Sequence, residues 1–204
     1  MRIALIGSRW FGAQMLRLLR ERGHEVAVIG IDAEDQLAAA ARAAALPLVL
    51  LEGPRRVLAS DVPEADVIVA AHAHSFISAE ARARARLAAI GYHPSLRPRH
   101  RGNAAVEWTI RCRDPIAGGS VYHLSDGLDE GAIAAQDWCF VYPDDDAASL
   151  WRRALAPMGL RLLVKVVDDI AARGYADAVE QDPKAVTYAP ALKAAEQETA
   201  RPGR

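Results

Sequence analysis

The chain has 204 residues, 51% hydrophobic and 25% charged, and its 25 Lys and Arg against 26 Asp and Glu leave a net charge of −1. That length suits one soluble domain, and the even charge argues against a nucleic-acid or anionic-membrane partner. No run approaches the ~18 apolar residues of a membrane span, no secretory leader is evident, and Cys112 and Cys139 lack CxxC or metal-ligand spacing, so a cytoplasmic protein with two buried free thiols is expected.

Arg2–Gly7 is a short apolar run ending in glycine, the profile of a buried parallel strand. Phe11–Arg22 follows at helical spacing and closes at Gly23. Glu25–Ile31 predicts a second strand, Asp35–Ala45 an Ala-rich helix, Leu46–Leu51 a third strand and Ala65–Ala70 a fourth, with a helix over Ser78–Ala89. This alternation specifies parallel strands with crossover helices on both faces. A short strand from Ile90 enters a proline-punctuated loop that runs to Gly102, then a helix over Ala104–Arg111 and a strand over Gly119–Leu124. Ser125–Gly131 is a glycine- and carboxylate-rich loop, and Ile133–Val141 a last strand. Leu150–Arg173 reads as one long amphipathic helix, bent near Pro157, whose apolar side closes the core or meets a second copy, so a homodimer is open. The fold class is α/β, a doubly wound, mostly parallel, three-layer sheet: one domain over residues 1–190, with a disordered tail over 191–204.

The first strand-to-helix turn, Gly7-Ser8-Arg9-Trp10-Phe11-Gly12, resembles a nucleotide-binding loop, and Asp32 stands where a ribose-binding acid would. Arg9 replaces the central glycine that lets backbone approach a pyrophosphate, which argues against dinucleotide binding. Ser8, Arg9 and Gly12 at the helix start instead suit an anionic or polar acceptor, or a turn with no ligand. His93 stands at a strand end before Pro94, held extended toward the crevice where open α/β sheets bind ligands. Its imidazole can shuttle a proton near neutrality. Asp126-Gly127-Leu128-Asp129-Glu130-Gly131 offers carboxylates on a second loop, and a carboxylate near the ring orients it. Arg97, Arg99, His100 and Arg101 make the first loop basic; with Ser95 and Gly102 they form either a grip for a phosphate or carboxylate or a solvated surface. His72 and His74 alternate as H-x-H, but no third ligand is evident and no metal is expected. Trp108 reads as core.

The phrases His93-Pro94-Ser95-Leu96-Arg97-Pro98-Arg99-His100-Arg101-Gly102 and Asp126-Gly127-Leu128-Asp129-Glu130-Gly131, in that order, resemble the folate-dependent formyltransferase family. The amino-terminal R-I-A-L-I-G-x-x-x-F-G and the Pro143-Asp144-Asp145 turn draw the resemblance toward the hydrolase domain of 10-formyltetrahydrofolate dehydrogenase. The resemblance implies formyl transfer from 10-formyltetrahydrofolate to a small amine, or its hydrolysis by water. It makes His93 and Asp129 the catalytic pair and implies a folate lying against Ala71, His74, Phe76 and Ile77 and against Leu124, Ser125, Asp126 and Leu128. Arg97 stands where the family usually has leucine. Gly91 stands where its transferases carry an asparagine that supports the oxyanion, so a non-catalytic folate-binding or regulatory module is the alternative.

Overall fold

Apolar runs too short for helices become strands because parallel pairing satisfies backbone groups that burial takes from water. The computed structural model describes residues 1–51 and 56–192, so most of the expected tail over 191–204 lies outside the described residues. Two compact units emerge: Met1–Tyr92 with Leu163–Ala176, and His93–Leu162 with the described residues from Asp177 onward.

In the first unit, β1 (Arg2–Gly7), α1 (Arg9–Glu21), β2 (Glu25–Gly30), α2 (Gln36–Ala43) and β3 (Leu48–Leu50) run in strict alternation. A two-residue parallel pair, β4 (Arg56–Val57) with β6 (Phe76–Ile77), stands apart from the sheet; β5 (Ala65–Ala71), α3 (Ala79–Arg82) and β7 (Ala85–His93) complete the series. The sheet order is β3-β2-β1-β5-β7, all parallel. The chain moves outward from β1 to β3, then returns to the other side of β1. Right-handed crossovers therefore send the connections before and after that return to opposite faces. This is the doubly wound α/β arrangement expected, and its switch point lies between β1 and β5. Ile3, Leu5, Ile6, Met15, Leu19, Ile29, Leu37 and Ile68 are fully buried around it. Gly7 ends β1 against β5 so closely that a Cβ would collide with the Ala71 carbonyl.

The helix expected over Ser78–Ala89 is corrected. Only Ala79–Arg82 is helical, capped by Ser78 Oγ accepting the Ala81 N–H at 3.2 Å, and Ala85–His93 is a strand paired with β5. Alanine and arginine favour a helix, but the exposed edge of β5 offers a full row of hydrogen bonds, and that tertiary gain outweighs the local preference.

In the second unit, α4 (Ala105–Arg111) precedes the antiparallel pair β8 (Ile116–His123) and β9 (Ile133–Phe140). Their register slips between Val121 and Tyr122, just before the Ser125–Gly131 loop, and such bulges re-aim side chains. α5 (Ala147–Leu150) leads through a π-helical turn, Trp151–Leu155, into α6 (Ala156–Arg173). The expected bend at Pro157 takes this form: proline supplies no N–H for the tighter α spacing, and the turn before it widens. Val106, Ala117, Leu150 and Leu155 form the core of this unit. Along α6, Leu162 of this unit is buried, as are Leu163, Val164, Val166, Val167 and Ile170, which belong to the first unit. Two smaller expectations are also corrected. Cys112 is exposed and Cys139 half-buried, because Cys112 caps the outer end of α4 and Cys139 lies on the strand pair. Trp108 is half-buried rather than core, its indole N–H donating to the Pro190 carbonyl at 2.9 Å.

Candidate functional site

His93 ends β7 and is 8% exposed. Its Nε2–H donates to the His100 carbonyl at 2.8 Å, which leaves Nδ1 facing Asp129 Oδ2 at 3.5 Å. Asp129 sits at φ 57 on the second loop. The Gly102 N–H donates to its Oδ2 at 2.8 Å, the Tyr122 hydroxyl donates to its Oδ1 at 3.1 Å, and Arg97 Nη2 lies 2.8 Å from the same Oδ1. Burial pushes the Asp129 carboxyl up, but the facing His93 and Arg97 and the Gly102 amide outweigh it and hold it at about 2. Burial, then the Arg97 charge, lowers His93 to about 4 against the upward pull of Asp129. Near neutrality the pair is thus an uncharged imidazole beside an ionised carboxylate, and Arg97 carries the countercharge. Burial and Asp129 also push the Tyr122 phenol far above its ordinary range.

The basic loop is engaged internally. Arg99 Nη2 meets both oxygens of Asp114 at 3.2 Å, and His100 Nε2 meets Asp114 Oδ2 at 2.6 Å. Arg101 donates to Gln181 Oε1 at 2.8 and 3.2 Å, and Ser95 Oγ donates to the Arg99 carbonyl at 2.6 Å. Arg97 points inward to Asp129, and Gly102 contributes only its N–H, also to Asp129. Of the residues expected to form a substrate grip on this loop, Arg97 and Gly102 therefore join His93 and Asp129, whereas Ser95 and Arg101 close the loop itself.

In the first unit, the switch point brings Ser8 to the loop after β5: Ser8 Oγ donates to the His72 carbonyl at 2.7 Å and lies 3.2 Å from His72 Nδ1. His72 Nε2 and His74 Nε2 are 2.9 Å apart. Burial, then His74 and Arg9, lowers His72 to about 4. The Arg9 N–H at the start of α1 donates to Asp35 Oδ2 at 2.8 Å, while Asp35 Oδ1 caps α2 by accepting the Ala38 N–H at 3.0 Å. The positive end of α1 is thus matched by a carboxylate of the chain itself. Gly12 is buried against Leu37, and the Asp32 carboxylate accepts the Glu34 N–H at 2.9 Å. Ala71 and Ile77 are buried, while His74 and Phe76 are exposed, with the Arg56 guanidinium 5.4 Å from the Phe76 ring centre.

Backbone strain falls on the same loops. Among the described residues, Arg9, His72, His74, His100 and Asp129 have positive φ without being glycine, and the two others, Ala45 and Arg113, follow helix ends. Strain of that kind persists where surrounding contacts over-determine it, which marks these loops as built.

Leu124 and Ser125 line a cleft of about 530 Å³ in the second unit with Arg101, His123, Glu130 and Gln181, while Asp126 and Leu128 are exposed. Sequence reasoning passed over three participants: Tyr122, the inward role of Arg97, and Gln181. Gln181 Nε2 donates to the carbonyls of Asp129 at 3.0 Å and Gly131 at 2.7 Å, clamping the acidic loop from 52 and 50 residues away. No local signal marks Gln181. Tyr122, at the foot of the acidic loop, was within reach of pattern reading.

A sequence profile described as formyl transferase matches residues 1–167. The cytosolic 10-formyltetrahydrofolate dehydrogenase of Xenopus laevis is 35% identical over 210 residues, covering 95% of this chain and 23% of that protein. The methionyl-tRNA formyltransferase of Acidiphilium cryptum (strain JF-5) is 29% identical, covering 97% of this chain and 69% of that protein. Among solved structures, WlaRD, a sugar 3N-formyl transferase in the presence of dTDP and 5-N-formyl-THF, matches with a TM-score of 0.78 at 15% identity, over 93% of this chain and 69% of that one. At that identity the likeness is one of fold. The chain spans 23% of the length of the Xenopus laevis dehydrogenase.

Proposed function

The chain belongs to the formyl transferase family, and from that premise we propose that it passes the formyl group of 10-formyltetrahydrofolate to a small amine or to water through His93 and Asp129. The carrying observation is the buried opposition of His93 Nδ1 and Asp129 Oδ2, 3.5 Å apart. The folate supplies an electrophilic one-carbon unit. An amine or water adding to that carbon must give up a proton, and both facing atoms are acceptors. Asp129, held at about 2, is the weaker base. Proton acceptance therefore falls on Nδ1, since Nε2–H is committed to the His100 carbonyl. The ionised Asp129 stabilises the imidazolium that forms and keeps the ring oriented, and the imidazolium returns its proton to the folate nitrogen as that nitrogen's bond to the formyl carbon breaks.

For the folate we assign Leu124, Ser125, Asp126 and Leu128 of the second unit, and Ala71, His74, Phe76 and Ile77 of the first. The Ser125 hydroxyl supports that fit: it is buried without a hydrogen-bond partner among the described residues, on a loop that borders an open cleft. Ser8, Arg9 and Gly12 are assigned to the acceptor. The reading takes the site as metal-free and the setting as cytoplasmic. Gly91 favours a second reading, a folate-binding module without turnover, because it offers no side-chain donor to a developing oxyanion.

Incubation of the full chain with 10-formyltetrahydrofolate, followed by absorbance with and without added amines, tests both readings. Donor loss in water alone marks a hydrolase, and loss only with an amine marks a transferase. Binding without turnover supports the module, and absence of folate binding overturns the proposal. His93→Ala and Asp129→Ala should each lower turnover by about 10²–10⁴.

A further inference from the structure

Arg97 is a cation with no exposed side-chain surface, 0%. Burying a guanidinium costs several kcal/mol unless its N–H groups are paired. Here Nε and Nη1 have no hydrogen-bond partner among the described residues, and Nη2 meets Asp129 Oδ1 at 2.8 Å as an ion pair without the alignment of a hydrogen bond. The guanidinium carbon lies 3.7 Å from the centre of the Tyr122 ring, whose hydroxyl donates to the same Oδ1. Its backbone is pinned as well: the Arg97 N–H donates to Ser120 Oγ at 3.1 Å, and the Gln136 amide donates to the Arg97 carbonyl at 3.0 Å. Arg97 is therefore held against Asp129, with its nitrogens closed to solvent.

We propose that Arg97 is a positioning residue of the reactive pair: by neutralising Asp129 from the Oδ1 side, it leaves His93 an uncharged imidazole with Nδ1 open. The groups facing His93 are few. Asp129 favours its protonation, while Arg97 and the His100 ring disfavour it, and His100 is in turn paired with Asp114 at 2.6 Å. Tyr122 acts only through its bond to Asp129. With Arg97 removed, Asp129 would have His93 as its nearest source of countercharge, and the ring would take up a proton. The consequence for formyl transfer rests on the function proposed above; the charge arrangement does not.

The test is a pH titration of the full chain labelled with ¹⁵N-histidine, with His93 picked out from the six histidines by its absence in His93→Gln. Wild-type His93 should remain neutral at pH 5. In Arg97→Met its midpoint should rise by about 1–3 pH units, the usual pull of an opposite charge, here Asp129, that is no longer neutralised. The low-pH limb of kcat, where turnover is measurable, should move with it. An unchanged midpoint in folded Arg97→Met overturns the proposal. If that variant fails to fold, Arg97→Lys carries the test: its cation remains, so a free-imidazole midpoint there also overturns the proposal. Because no substrate is present, a shifted midpoint without any folate turnover would sink the function and leave the role of Arg97 standing.

Discussion

Replacing His93 with glutamine should flatten the acid sensitivity of folding. In the unfolded chain the ring binds a proton near its ordinary 6.5, whereas in the folded protein it waits until about 4. Between those values the unfolded state holds the extra proton, so stability is lost as pH falls through that window. At about 1.4 kcal/mol per pH unit, the whole window amounts to roughly 3 kcal/mol. Glutamine cannot titrate, yet its amide can still donate to the His100 carbonyl. Urea unfolding at pH 7 and pH 4.5 measures the difference. From pH 7 to 4.5 the wild type should lose about 2–3 kcal/mol more than the variant, with the denaturant slope unchanged. His72, also lowered to about 4, contributes to both proteins and cancels in the comparison. An equal loss in the two proteins would refute the idea that His93 is buried uncharged.

Two further substitutions probe the supports of the site. Gly118→Ala would place a Cβ 2.5 Å from both Leu96 Cγ and the Asp137 carbonyl. Overpacking of that kind costs about 1–3 kcal/mol, and calorimetry should show a lower Tm; a Tm equal to that of wild type would mean that the Leu96 loop yields freely. Gln181→Ala removes both donors that hold the acidic loop and strands two carbonyls, at a cost of about 1–3 kcal/mol. Amide exchange should speed up over residues 124–131 while β8 and β9 keep their protection; uniform exchange across all three would show that Gln181 is no clamp.

Much of the first unit was legible because buried parallel strands are unbroken apolar runs, and Arg2–Gly7, Glu25–Gly30 and Ala65–Ala71 are such runs. The start of β7 was not. Ala85 to Ala89 has the composition of a helix, and only pairing with β5 makes it a strand. The loop positions of His93 and Asp129 could be read because strand ends and glycine turns leave local marks. The direction of Arg97 left none: a sequence shows a charge but not which way it faces, and here the direction is set by Ser120 and Gln136, 23 and 39 residues away. Gln181 is the extreme case, a polar residue in an irregular segment whose meaning lies wholly in its distant partners.

The segment from Asp177 to Ala189 has a consequence for how the protein is made. Thr187 Oγ1 accepts the His100 N–H at 2.9 Å, the Thr187 carbonyl accepts the Arg101 N–H at 2.9 Å, and the Ala189 N–H returns to the Arg101 carbonyl at 2.7 Å. With Gln181, these bonds fasten both loops that carry His93 and Asp129. A ribosome therefore releases His93 and Asp129 well before it releases the residues that brace their loops. A chain stopped short of Ala189 lacks the full set of these bonds, whatever else of it has folded.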